Sequence, residues 1–438
     1  MLALNWPGQM SYDSVAQLAE ARAGFYHSWH PPVMAWLMGL FDSLIAGTGL
    51  FVLFNGAMAL FAFYTFAQPR RATGLTLLLA LLVMLSPQWL LYQGIVWKDV
   101  LFADAALAGF AALARGARGN PLCYPPALLL LALAMMTRQN GLVIVPAAAI
   151  GMAALLRRRM APCQAVGAAL LFAGLVMGVA FGGEALLARR GDRGADAADE
   201  IRVAQSYDLA GMMARDPGLR PARLEAEAPA LARLLRTRGA ALYTPVWIDP
   251  LMNDPALHTA IDAAPPGLIF AQWRDALLRH PGLYLATRWT AFAWVLGTPD
   301  REACHALFTG VDGDPRLMAA LGLKHTWRPQ DRLHDRYGRW LRGTPLFSHL
   351  LFGALALILL AFLLWRRREM DLMAAGLLGA ALAFTASFFV VSIACDYRYL
   401  YFLDLAAMTG ALAAAARGPA GRDANRPGML HRLSGDLA

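Results

Sequence analysis

Charge is scarce in this sequence. Charged residues make up 16% of its 438 positions and hydrophobic residues 58%, which excludes an ordinary soluble globular domain. Cysteine is nearly absent as well. The four that occur, Cys123, Cys163, Cys304 and Cys395, show no CxxC or Cys/His spacing, so neither a zinc module nor a redox pair is written here. They read as small buried side chains, and only Cys304 and Cys395 fall on one predicted outer face, which leaves a disulfide between them open. The short alternating segments of a membrane β-barrel are missing. So is the charged start and apolar core of a signal peptide, and so is any repeat between the two halves of the kind many transporters carry.

What is present is a series of apolar runs, several of them long enough for a helix to cross a hydrocarbon layer about 30 Å thick. The formal charge of +9 sits mainly in short arginine clusters between these runs: Arg70 and Arg71, Arg115 and Arg118, the cluster from Arg157, the cluster from Arg366, and the tail after Arg417. That distribution is a topology signal and not a nucleic-acid surface. Placing every cluster on the cytoplasmic side predicts helices across 48–68, 73–91, 100–114, 163–187, 345–365, 371–393 and 400–416. Between the clusters at Arg118 and Arg157 the chain must go out and back on two short arms. Their apex at Thr137, Arg138, Gln139 and Asn140 is polar and sunk below the outer surface, which a membrane tolerates where the backbone lines a cavity.

The expected fold is an all-α polytopic membrane protein. Residues 1–32 form an outer first loop, 33–187 an N-terminal membrane bundle, 188–343 a mostly helical extracytoplasmic domain, 344–416 the closing membrane helices, and 417–438 a cytoplasmic tail. Within the outer domain "HPGLYLATRWTAFAWVLG" is amphipathic and aromatic, fit to lie in the interface. The opening "MLALNWPGQ" reads as the end of a helix and its exit at the interface, so a further membrane helix upstream of Met1 is expected.

Polar groups gather on the outer face: Asp13, His30, Lys98, Asp99, Arg138, Asp396, Arg398 and Tyr399. Asp13 reads either as a carboxylate that takes a proton from an attacking group or as one of three candidates, with Ser11 and Ser14, for the cap of an Ala-rich helix. His27 and His30 share the spacing of a metal pair, but no third ligand accompanies them, and an interfacial anchor is the simpler reading. Lys98 with Asp99, and Asp396 with Arg398, read equally as local ion pairs or as cations awaiting a lipid phosphate.

The outer-loop acid followed by "SWHPP", the loop "QGIVWKDVLF", the apex "TRQNGL", the segment "HPGLYLATR" and the terminal "DYRYLYF" together resemble bacterial integral-membrane glycosyltransferases of the C type (GT-C). That superfamily includes the protein mannosyltransferases and the lipid A aminoarabinose transferases. The resemblance implies a GT-C-like helical bundle in the bacterial inner membrane with its active site facing outward. It implies a polyprenyl-phosphate sugar as donor, inverting transfer to a glycan, lipid or protein acceptor, and Asp13 as the catalytic acid of the outer loop. Lys98, Arg138 and Arg398 would hold the donor phosphate, with His30, Asp99, Asp396 and Tyr399 supporting. No metal ligands are assigned, and a divalent metal as cofactor is left open. The sequence has "YDS" where the protein mannosyltransferases carry an Asp-Glu pair, and it lacks the first helix of the family. A flippase or transporter of lipid-linked sugars and an outer-face polysaccharide polymerase or ligase are the competing readings.

Overall fold

The computed structural model describes residues 1–27, 30–191, 197–325 and 327–416, so the expected cytoplasmic tail, and Ser28 and Trp29 of the "SWHPP" motif, lie outside the described residues. Among the described residues the regular structure is helical, with only isolated bridges such as Gln9 to Ile95 and Met10 to Val311. The elements that position the site are α1 (Tyr12–Ala23), α2 (Pro32–Leu44), α3 (Gly49–Ala67), α4 (Gly74–Met84), α5 (Lys98–Ala117), α6 (Tyr124–Thr137), α7 (Ile144–Leu156) and α8 (Pro162–Leu187). They are followed by α9 (Ala197–Arg215) and α10 (Pro281–Gly297) in the outer segment, then α11 (His349–Arg366), α12 (Glu369–Val391) and α13 (Tyr401–Ala415). Among the described residues six helical stretches are long and apolar enough to cross a membrane, and a bent pair makes a seventh if it counts as one span. The protein is an integral membrane protein.

Two helices form the centre. α5 is buried along nearly its whole length, and its run of alanine and glycine lets neighbours approach closely: a Cβ on Gly109 would stand 2.7 Å from Leu131 of α6. α13 is likewise buried on almost every side. α3, α6, α11 and α12 pack around this pair.

The expected single helix across 73–91 is broken. α4 stops at Met84, and the chain restarts at Pro87 with a bend of 52°. Proline cannot donate the backbone bond that would continue the helix, and the Ser86 hydroxyl accepts from the Trp89 N–H at 3.3 Å to start the next turn. The hairpin between arginine clusters has two arms, but only the first, Pro121–Thr137, is short as expected; the second, Gln139–Leu156, is long and apolar enough to cross. α6 ends at Arg138 in extended backbone, and a tight turn over Gln139–Val143 leads into α7. Gly141 is needed in that turn, because a Cβ there would meet Phe102 at 3.1 Å and the Ala134 carbonyl at 3.2 Å.

The arginine clusters converge on one end of the bundle. Arg118 and Arg159 share Glu369 at 3.3 and 3.1 Å, Arg366 pairs with Asp371 at 2.6 Å, and Arg368 donates to the Ala416 carbonyl at 3.1 Å. The charge pattern that assigned these loops to a common side therefore matches their position in space.

At the opposite end lies the segment 188–343. Part of it has its own core, built on Leu209, Met212, Leu235, Leu257, Ile261 and Ile269. Residues around Cys304, Met318 and Leu341 pack instead into the main core with the membrane bundle. Ties of several kinds hold the segment to the loop before α13, among them the bond from the Tyr397 N–H to the Cys304 carbonyl at 2.9 Å. Arg288 donates to the Ser392 carbonyl at 2.8 Å, the Cys395 N–H bonds the Val246 carbonyl at 2.7 Å, and Cys304 is joined to Cys395 in a disulfide. Cys123 and Cys163 remain free thiols. The disulfide closes a chain separation of 91 residues, so reduction is expected to lower stability by about 2–4 kcal/mol. Thermal unfolding with and without reductant measures this, and an unchanged midpoint would show that the hydrogen-bonded ties suffice.

Candidate functional site

A cavity of about 660 Å³ opens between the outer end of the bundle and the outer segment. Of the eight site residues expected from sequence, Asp13, His30, Lys98, Arg138, Asp396, Arg398 and Tyr399 line it. Asp99 is the exception, being 2% exposed and set behind the wall.

Asp13 is not the cap of its helix. Ser11 takes that place, with its N–H donating to the Ser14 hydroxyl at 3.2 Å, so Asp13 sits in the first turn with its carboxylate available. The helix is strapped to the loop leading into α5: the Ser14 hydroxyl donates to the Val96 carbonyl at 2.5 Å, and the Trp97 indole donates to the Ser11 hydroxyl at 2.8 Å. These contacts bring Asp13 and Lys98, far apart in the chain, onto one cavity.

Arg398 is the hub. Its Nη1 donates to Asp13 Oδ2 at 2.8 Å, and its Nε lies 2.7 Å from Asp396 Oδ2 and 3.7 Å from Asp99 Oδ2. Its guanidinium stacks over Trp97, 5.0 Å from the ring centre. Burial works against its charge, but the surrounding carboxylates, Asp396 foremost, outweigh that and hold the guanidinium firmly charged. Burial also pushes the Asp13 carboxyl upward, yet Arg398, with His30 and Lys98, more than reverses this, and Asp13 lies below the usual carboxylate range. For Asp396 the balance goes the other way: burial dominates the attraction of Arg398 and its pKa is raised.

Arg138 pairs with Asp99 at 2.5 Å and lies beside two mutually stacked rings, its guanidinium 5.1 Å from the centre of Tyr399 and 5.5 Å from that of Phe388. Lys98 differs from both arginines, since it makes no ion pair or hydrogen bond among the described residues. His30 Nε2 stands 3.9 Å from Asp13 Oδ1. Burial, helped by the charge of Lys98, pushes the imidazole down to about 4, so His30 is neutral near pH 7 and its approach to Asp13 is not an ion pair.

Three cavity residues of the outer segment were not singled out from the sequence: Trp247, Asp249 and His305. The short turn "VWIDP" carries no signal of its own, and the geometry at His305 depends on its tie to Cys395 through Cys304. Beneath the cavity a fully buried network also escaped notice. His349 bonds Asp404 at 2.8 Å and the Tyr397 carbonyl at 2.9 Å, while the Tyr397 hydroxyl donates to Asp404 at 2.7 Å. This network anchors the turn that presents Arg398 and Tyr399.

The carboxylates of Asp13, Asp99 and Asp396 converge on a guanidinium, and among the described residues no three His, Cys, Asp or Glu side chains are grouped as a metal site. No family model and no curated protein matches the chain. Among solved structures it is similar to the archaeal oligosaccharyltransferase AglB from Archaeoglobus fulgidus, in complex with an inhibitory peptide and a dolichol-phosphate, with a TM-score of 0.38 and 16% identity. The match covers 93% of this chain, and the chain spans 46% of that structure's length.

Proposed function

We propose that the protein is a GT-C-type membrane glycosyltransferase that moves a sugar from a polyprenyl-phosphate donor to an acceptor on the outer face of the bacterial inner membrane. The observation that carries this reading is a carboxylate, Asp13, facing the same cavity as Lys98 and Arg138 at the end of the bundle remote from the arginine clusters. Attack by an acceptor hydroxyl forms a bond to the anomeric carbon and breaks the bond to phosphate oxygen. The phosphate keeps the electron pair, and the acceptor's proton passes to Asp13. Fixed cations stabilise the charge that grows on the leaving phosphate.

The pairing of Asp13 with Arg398 matters for this step. A carboxylate held by a guanidinium is ionised but weakly basic. When the donor phosphate enters, it competes for Arg398, and Asp13 regains basicity only in the loaded site. Lys98, which has no carboxylate bound to it, can take the phosphate without giving up an ion pair.

Lipid-linked sugar profiling tests the reading: in a strain lacking the gene an unused polyprenyl-phosphate sugar should accumulate, and an unchanged profile would count against it. The orientation has its own test. With the arginine clusters inside, Cys123 and Cys163 are expected to react with a membrane-impermeant thiol reagent only after the membrane is opened. Labelling of either in intact cells would invert the topology and the site with it.

A further inference from the structure

We infer that Trp247, Asp249 and His305 form a carbohydrate-binding subsite in the part of the cavity built by the outer segment. The inference rests on the glycosyltransferase reading and assigns the sugar a place within it.

Each residue is unusual for the surface it occupies. Trp247 lines the cavity yet is 39% exposed, so an indole is presented to water where nothing of the chain covers it. His305 faces the same space, its ring centre 6.1 Å from that of Trp247. Its backbone has φ +48°, a left-handed conformation that residues other than glycine rarely adopt. Such a conformation persists only where its surroundings fix it. Here the neighbouring Cys304 is bonded to Cys395, and the Tyr92 hydroxyl donates to the Ala306 carbonyl at 2.8 Å. Asp249 is exposed, and its carboxylate makes no hydrogen bond or ion pair among the described residues.

A pyranose ring offers the complementary set. Its C–H face is apolar and packs on an aromatic ring, while its hydroxyls hydrogen-bond carboxylate oxygens and imidazole nitrogens. An acid at this wall repels phosphate, whereas Lys98 and Arg138, contributed by the spans, attract it. The cavity thus has an anion end and a polyhydroxy end, and its volume is that of a site for a small ligand.

The test uses the purified full chain in lipid nanodiscs. Its probes are undecaprenyl phosphate, a panel of undecaprenyl-phosphate hexoses with one aminopentose, and free methyl hexosides added with saturating undecaprenyl phosphate. Wild type is expected to bind at least one sugar probe more tightly than the bare lipid. Trp247→Ala should lose that gain by about tenfold or more, with bare-lipid affinity kept and Trp247→Phe restoring part of it. Asp249→Asn should weaken the same probe. Loss confined to the sugar-bearing lipid assigns the subsite to the donor, and loss confined to the free hexosides assigns it to the acceptor. The subsite is overturned if wild type gains nothing from any sugar, or if Trp247→Ala keeps the full gain while unfolding at the wild-type temperature. Failure of bare undecaprenyl phosphate to bind wild type would instead overturn the donor assignment, and the hexosides in its absence would then decide the subsite alone.

Discussion

Replacing Asp13 by Asn is expected to lower the rate of transfer by about 10²- to 10⁴-fold, the usual cost of losing a positioned general base. The fold should survive, because Arg398 keeps Asp396 at 2.7 Å when Asp13 no longer carries charge. Donor binding should hold or tighten, since the substitution removes a negative charge that competes with the phosphate for Arg398. The expected pattern is therefore a fall in kcat with KM for the donor unchanged or lower. A purified enzyme assay following release of polyprenyl phosphate reads both numbers, and a kcat near wild type would take Asp13 out of the mechanism. The pH dependence follows from the same environment. Asp13 lies below its usual value, so its charged form is present above the ordinary carboxylate range and is lost only as pH falls through the depressed value. His30 is neutral above about 4. Between about pH 5 and 7 neither group changes charge in the unloaded site, and the acid limb of kcat/KM, which reports the free enzyme, should lie below that window.

The membrane helices were legible because length, apolarity and arginine clustering are local properties. The apex was legible in part: two arms meet at a polar turn, but the second, Gln139–Leu156, is long and apolar enough to cross, so only the first is the short arm expected of both. The break at Ser86-Pro87 has a local signal in the proline, but the apolar run continues through it and masks the bend. What local pattern could not show is which charge meets which. Asp13 pairs with a residue 385 positions away, and Asp99 turns from its sequence neighbour Lys98 to Arg138. Sequence proximity suggested Lys98 with Asp99, but successive residues on a helix point about 100° apart, so Asp99 is buried while Lys98 reaches the cavity. The outer wall was invisible for a related reason: Trp247, Asp249 and His305 meet only because the disulfide and the backbone bonds to the 392–397 loop fold the outer segment over the site.

That division of charges separates two cations that look alike in sequence. Lys98→Ala should leave stability close to wild type, since Lys98 makes no ion pair or hydrogen bond among the described residues, and should weaken binding of bare polyprenyl phosphate by about 30-fold or more, as loss of one member of a desolvated charge pair does. Arg138→Ala should behave differently. It strands Asp99, 2% exposed, with only the Arg398 contact at 3.7 Å, and an uncompensated buried charge costs about 3–5 kcal/mol. The variant is expected to unfold earlier and accumulate poorly, with its binding loss following from a disturbed site. Arg138→Lys restores a positive partner for Asp99 but not the planar guanidinium beside Tyr399 and Phe388, so stability should recover in part and geometry should not. Thermal unfolding and titration with polyprenyl phosphate, run on the same three variants, separate the roles. Unchanged affinity in Lys98→Ala would remove Lys98 as a phosphate ligand. Wild-type stability in Arg138→Ala together with lost affinity would make Arg138 the dedicated ligand and its pairing with Asp99 incidental.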